Sequence, residues 1–121
     1  MELKEYQEFT ASTNLYGESI DKLYVYQRSE SMMKAMVLAL GLNEEAGEVA
    51  GVIKKILRDD NGVLIPEKLE KLEKELGDVC WYISELCNHF GFSFQNVLNE
   101  NYKKLKNRQE RGKLQGSGDN R

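Results

Sequence analysis

Two short acidic stretches decide the fold of this chain: Glu44-Glu45-Ala46-Gly47-Glu48 and Glu75-Leu76-Gly77-Asp78. In each stretch, two carboxylates stand three residues apart, which on a helix places them on one face, one turn from each other. Both stretches lie inside long segments whose apolar residues recur at helical spacing. Because the carboxylates share the apolar stripes, we expect four of them to face the core. These residues are Glu45, Glu48, Glu75 and Asp78.

Acids on a core-facing stripe need a partner, because burying an unpaired carboxylate is costly. The sequence offers no matching row of buried lysine or arginine, so a divalent cation is the favoured partner. Oxygen ligands without histidine or cysteine indicate Mg²⁺, with Mn²⁺ as the alternative. Two solvated acidic helix faces are the ordinary alternative. A di-iron bundle would need Glu-x-x-His pairs, and the single histidine, His89, is out of register with the acids.

The apolar periodicity predicts an all-α fold, an antiparallel bundle of four to five helices. Helices are expected over 2–13, from Ser29 or Ser31 to about Arg58, over 66–90 and over 94–108, with a loop and a short helical turn at 14–29. Pro66 should begin the third of these, Gly91 should end it, and Ser93 should cap the next. The short link before Pro66 makes the two acidic helices antiparallel and brings their carboxylate pairs to the same height. The expected core positions of the first acidic helix are Met33, Met36, Val37, Leu40, Val49, Val52, Ile53 and Ile56.

Composition is that of one globular domain, with 40% hydrophobic and 31% charged residues in a chain of 121. We expect this domain to span 1–111, followed by a Gly-rich basic tail at 112–121. No apolar run is long enough to span a membrane, and the N-terminus lacks a signal-peptide pattern, so a cytoplasmic protein is expected. Cys80 and Cys87 are expected to be small buried residues rather than a disulfide.

The net charge of −3 is unevenly distributed. From Tyr102 onward, seven basic residues face two acidic ones, so this segment carries +5 and the remainder carries −8. The basic segment contains no motif of the kind that binds in a groove of DNA or RNA, and the rest of the chain is acidic. We therefore do not expect nucleic acid as a partner.

Three motifs in order give the chain a family resemblance: Glu44-Glu45-x-x-Glu48, Glu75-x-x-Asp78 and Asn101-x-x-Lys104-Leu105-x-x-Arg108. Over about residues 36 to 108, this pattern resembles the MazG-like nucleotide pyrophosphohydrolases. The resemblance implies metal-dependent hydrolysis of a nucleoside triphosphate to the monophosphate and pyrophosphate. It also implies that the reaction serves nucleotide-pool housecleaning, the removal of unwanted nucleotides. It also implies a homodimer or homotetramer.

The resemblance assigns roles to individual residues. Glu45, Glu48, Glu75 and Asp78 would ligate the metal, and Glu44 and Glu45 would be the catalytic acids. Glu44 is a candidate general base, with a solvated surface acid as the alternative. The residues expected to bind substrate are Asn101, Lys104, Arg108, Arg111 and Trp81, of which Trp81 would stack on a base or fill a subunit contact.

Two further expectations concern the surface. Apolar faces that include Met32, Met33, Met36, Trp81 and Phe92 are expected to hold subunits together. The tail is expected to be either a flexible end or a lid that closes over a bound triphosphate. The rival function is that of a non-catalytic helical bundle acting as an interaction or regulatory protein.

Overall fold

A computed structural model describes residues 2–119 of the chain, leaving Met1, Asn120 and Arg121 outside the described part. The predicted all-α class is confirmed, because this part contains helices and no strand. The helices are α1 (Leu3–Thr13), α2 (Tyr16–Val25), α3 (Ser29–Asp59), α4 (Pro66–Phe90) and α5 (Phe94–Glu110). The chain divides into two compact units, one ending at Val37 and the other beginning at Leu38. None of the described helices is both long and apolar enough to cross a membrane.

The first unit corrects one expectation. Helix α1 begins with a capping box, in which the Glu2 amide donates to the Glu5 carboxylate at 3.3 Å. The following segment was expected to be a loop with one helical turn, but it contains the ten-residue helix α2. The Asn14 side chain accepts a hydrogen bond from the Tyr16 amide at 3.0 Å and so satisfies a free donor at the start of α2. The apolar spacing of Ile20 and Leu23 then continues the helix.

The second unit contains the antiparallel pair formed by the later part of α3 and by α4. The chain leaves α3 through Asn61 and Gly62, which have φ values of 52° and 78°. The Gly62 amide closes the turn by donating to the Ile56 carbonyl at 3.0 Å. Helix α4 then begins at Pro66, as the sequence predicts.

The link from α4 to α5 also follows the local sequence signals. Gly91 ends α4 in the left-handed region with φ 70°, and the Phe92 amide donates a hydrogen bond to the Cys87 carbonyl at 2.8 Å. The Ser93 hydroxyl caps α5 by accepting from the Asn96 amide at 3.3 Å. Helix α5 ends at Glu110, two residues beyond the expected end.

The buried core is smaller than the apolar stripes predict. Among the described residues, the buried hydrophobic side chains are Ala35, Val52, Ile56 and Cys87. The expected core positions Leu40 and Ile53 are instead 68% and 53% exposed. Both cysteines are free, but Cys80 is exposed, so the expectation that both are buried is wrong for Cys80. Periodicity indicates which face of a helix is apolar, and a single chain lacks the neighbours to cover all such faces.

Candidate metal and phosphate site

Three carboxylates meet where α3 and α4 lie side by side. Glu45, Glu75 and Asp78 each offer an oxygen, and these oxygens lie within 4.8 Å of one another. Glu45 and Glu75 are half-buried, whereas Asp78 is exposed. The group therefore forms an acidic cluster that could hold a metal ion while keeping one side open to solvent.

The register of the two helices explains why these acids meet. A Cβ placed on Gly41 would lie 2.2 Å from Cε1 of the Tyr82 ring, so the Tyr82 ring lies directly against the α3 backbone at Gly41. Four residues onward in α3 is Glu45, and four residues back in α4 is Asp78. Because the helices run in opposite directions, one turn along each brings these two carboxylates to the same height. Glu75 joins them from the next turn of α4, three residues before Asp78.

The environment of the cluster perturbs one of its acids, Glu45. The pKa of Glu45 is raised, first by partial desolvation and then by the charges of Asp78 and Glu75, with smaller contributions from Glu44 and Glu48. The sequence predicted no basic partner, but Lys71 lies one turn before Glu75 with its Nζ 3.7 Å from the Glu75 carboxylate. That expectation is corrected for Glu75. Lys71 does not offset the repulsion at Glu45, whose pKa remains raised.

The two other predicted acids stand apart from this cluster. Glu44 and Glu48 are exposed, and neither belongs to the group of three close carboxylates found within residues 2–119. Both are near enough for their charges to raise the pKa of Glu45. Their roles as general base and metal ligand stay predictions.

The donor set fits a hard divalent cation. Three carboxylates supply only oxygen atoms, and one open side leaves room for water or a phosphate oxygen. A cation at this place would also remove the mutual repulsion that raises the pKa of Glu45. An acidic cluster of this composition suits Mg²⁺ or Mn²⁺ better than zinc, which prefers nitrogen and sulfur ligands.

The predicted substrate-binding residues of α5 lie in two different settings. Asn101 and Lys104 line an open groove that extends along α5 to Phe92 and Ser93. Arg108, one turn beyond Lys104, is only 5% exposed. Arg108 and Lys104 both contact Asp119, at 3.3 and 3.2 Å from its Oδ1. The shared helix face that the sequence predicts for the two cations is therefore occupied by Asp119.

The remaining predicted substrate-binding residues are Arg111 and Trp81. Arg111 Nε donates to the Asn107 side chain at 2.8 Å, one turn back along α5. Trp81 is 55% exposed, and its ring lies nearly perpendicular to the Tyr82 ring at a centroid distance of 4.9 Å. The open position of Trp81 is compatible with both roles predicted for it, a base contact and a subunit contact.

Sequence reasoning missed the parts played by Tyr82 and Asp119. In the sequence, Tyr82 is one residue of the apolar stripe of α4, and Asp119 is one of two acidic residues in the basic C-terminal segment. Three glycines inside one helix, Gly41, Gly47 and Gly51, indicate a close approach to α3, but the sequence does not show at which glycine it occurs. No periodic pattern links Asp119 to α5, because its contact depends on the path of an irregular segment.

Comparison with known proteins identifies a family for this chain. A family model described as "MazG nucleotide pyrophosphohydrolase domain" matches residues 31–112, which include the acidic cluster and all of α5. The chain is also similar to "Gene 37 protein" of Mycobacterium phage L5, with 48% identity over 84 residues, covering 69% of this chain and 74% of the phage protein. No solved structure matches the chain.

Proposed function

Since the chain belongs to the MazG nucleotide pyrophosphohydrolase domain family, we propose that it hydrolyses nucleoside triphosphates to the monophosphate and pyrophosphate in a metal-dependent reaction. The observation that carries this proposal is the convergence of Glu45, Glu75 and Asp78 to within 4.8 Å. The alternative of two solvated helix faces accounts less well for this cluster, because acids from two helices converge in it and the pKa of Glu45 is raised.

In the proposed reaction, the charge of each acidic residue determines the role that we assign to it. Glu45, Glu75 and Asp78 would hold Mg²⁺ or Mn²⁺, with Glu48 as a further ligand. When bound, the ion supplies positive charge that lets an acidic cluster accept a triphosphate and that lowers the pKa of a bound water. Glu44 is placed next to Glu45 in α3 and is our candidate for the base that receives the proton from the attacking water.

The α5 residues would bind the phosphates that leave. Lys104 and Arg108 are one turn apart, and a guanidinium beside an ammonium suits phosphate oxygens. Asn101 lies one turn before Lys104 and lines the same groove, where its amide can donate to a phosphate. Arg111 would add positive charge at the end of α5. The substrate is a ribo- or deoxyribonucleoside triphosphate in the cytoplasmic pool, and the reaction would remove unwanted members of that pool.

Assembly is part of the proposal. Large apolar side chains stay exposed on the chain, including Met32, Met33, Met36, Trp81 and Phe92 at 43%, 57%, 50%, 55% and 60%. Exposed apolar faces of this kind favour association between copies of the chain. We expect a homodimer or a homotetramer in solution.

The first test measures metal binding without catalysis. Adding Mg²⁺ or Mn²⁺ to the wild-type protein should raise its melting temperature, because the ion binds the folded state. Asp78→Asn should abolish this rise, since the change removes a charge from the cluster and keeps the shape of the side chain. Glu73→Gln is the matched control, because Glu73 is an exposed acid of α4 outside the cluster. An equal rise in Asp78→Asn and Glu73→Gln would contradict the metal site.

The second test follows the bond that breaks. Hydrolysis between the α and β phosphates by attack at the α phosphorus should place ¹⁸O from labelled water in the nucleoside monophosphate. Label found only in pyrophosphate or in inorganic phosphate would refute the proposed reaction. A panel of nucleotides scored for pyrophosphate release would then define the base and the sugar preferred.

A further inference from the structure

One oxygen of the C-terminal segment lies between the two cations that we assign to phosphate binding. Asp119 Oδ1 is 3.2 Å from Lys104 Nζ and 3.3 Å from Arg108 Nη2. The Asp119 and Gly118 carbonyls also accept from Arg108 Nη2, at 2.8 and 3.2 Å. Both cations are thus engaged by the protein itself.

The path of the segment brings it back along α5. Gly112 follows the helix with φ 64°, and the Lys113 amide donates to the Arg108 carbonyl at 2.7 Å, which closes the helix end. Gly116 and Gly118 have φ values of 105° and 84°. A side chain at such φ values would be strained, so these glycines allow turns that return the chain toward Lys104 and Arg108.

A carboxylate oxygen shared by an ammonium and a guanidinium occupies the place that a phosphate oxygen would take. The same two donors recognise both anions, with phosphate offering more oxygens and more charge. Lys104 and Arg108 lower the pKa of Asp119, so its carboxylate is ionised at neutral pH. The Asp119 side chain is 83% exposed, so solvent screens its ion pairs and a stronger anion can replace it.

The hydrogen bonding of Arg108 is also incomplete. Its side chain is 6% exposed, yet its Nε is buried and has no hydrogen-bond acceptor among residues 2–119. A buried guanidinium nitrogen without an acceptor is costly. Within the described residues, the hydrogen bonds that Gly118 and Asp119 accept from the Arg108 guanidinium fall on Nη2. A bound phosphate could accept from Nε, the guanidinium nitrogen that residues 112–119 leave without an acceptor.

We propose that the C-terminal segment is an internal competitor of the substrate, in which Asp119 occupies the Lys104–Arg108 pair until a triphosphate displaces it. This inference rests on the proposed role of that pair in phosphate binding. It differs from a lid, because a lid would close over the bound phosphates, whereas this segment leaves as they arrive. The competition sets a threshold for weak anions such as single phosphates, which offer too little charge to displace the carboxylate.

The direct test measures the binding of tripolyphosphate to the full-length protein by calorimetry, in the presence of EDTA so that the acidic cluster holds no metal. Asp119→Asn keeps the backbone contacts and removes the competing charge, and it should bind tripolyphosphate about two- to fivefold more tightly than the wild type. Glu110→Gln makes the same change in net charge at the exposed end of α5 and should change binding by less. Equal or weaker binding by Asp119→Asn, relative to Glu110→Gln, would overturn the proposal.

Trypsin gives a second readout. If tripolyphosphate displaces the segment, cleavage after Lys113 should become faster when tripolyphosphate is added to the wild-type protein. Asp119→Asn, whose segment keeps only the backbone contacts, should be cut faster than the wild type before any tripolyphosphate is added. Unchanged or slower cleavage of the wild type would overturn displacement, and slower cleavage would indicate a lid.

The outcome is separable from that of the proposed function. If no variant binds tripolyphosphate while nucleotides are still hydrolysed to pyrophosphate, the competition is wrong and the function stands. If tripolyphosphate binds and is affected by Asp119→Asn but nucleotides are not hydrolysed, the proposed function is wrong and the competition stands.

Discussion

Replacing Gly41 with alanine tests how closely α3 and α4 must approach beside the acidic cluster. The new Cβ would lie 2.2 and 2.3 Å from Cε1 and Cζ of the Tyr82 ring and 2.8 Å from its hydroxyl oxygen. Such distances are far below van der Waals contact, so the ring must move or the helices must separate. Gly41 is buried and Tyr82 is half-buried, so the new methyl group and the ring would compete for partly enclosed space.

Two opposing effects set the size of the change. Overpacking a close contact costs about 1–3 kcal/mol. Alanine in place of glycine inside a helix returns about 0.5–1 kcal/mol. We therefore expect Gly41→Ala to lower the free energy of unfolding by about 1 kcal/mol, and by no more than about 2.5 kcal/mol. Gly51→Ala is the matched control in the same helix, because its Cβ would meet no atom within 4 Å. It should raise the free energy of unfolding by up to about 1 kcal/mol.

The assay is denaturant unfolding of both variants at one protein concentration, followed by circular dichroism. Manganese binding provides a second measurement, because separating the helices at Gly41 also moves Glu45 away from Asp78. Gly41→Ala should bind Mn²⁺ more weakly than Gly51→Ala. If Gly41→Ala is as stable as the wild type and binds Mn²⁺ equally well, the close approach does not position the cluster.

Two other predictions use simpler measurements. The raised pKa of Glu45 means that its ionised form destabilises the metal-free fold, and this cost disappears as pH falls through the raised pKa. Glu45→Gln should therefore raise the melting temperature at pH 7 and lose that advantage by pH 4; a constant difference across this range would contradict the assignment. Light scattering at micromolar concentration should give a multiple of 13.9 kDa, and a mass of one chain would refute assembly through the exposed apolar faces.

The sequence alone determined the features that depend on neighbours along the chain. Pro66, Gly91 and Ser93 mark the start of α4, its end and the start of α5, because proline, glycine and serine each satisfy or remove backbone groups at a helix end. The spacing of the acids also placed two carboxylate pairs on helices that the short link makes antiparallel. These signals are local, so they survive without knowledge of the tertiary structure.

The extent of α2 and the size of the core were less predictable. Tyr16–Val25 mixes polar residues and a glycine with its apolar positions, so its helical pattern is weak. Leu40 and Ile53 belong to a clear apolar stripe yet are exposed in the single chain. Periodicity shows that a face is apolar, but not whether the same chain supplies its partner.

Only the tertiary structure decided which residues meet across α3, α4 and the end of the chain. It showed that the close approach occurs at Gly41 and Tyr82, and that Glu48 stands outside the group of three close carboxylates. It also showed that Asp119 contacts Arg108, because glycines with positive φ turn the C-terminal segment back toward α5. Helical periodicity fixes the direction of a side chain to within a face, whereas a contact of 3 Å depends on interhelical distance and on irregular backbone, which no repeat in the sequence encodes.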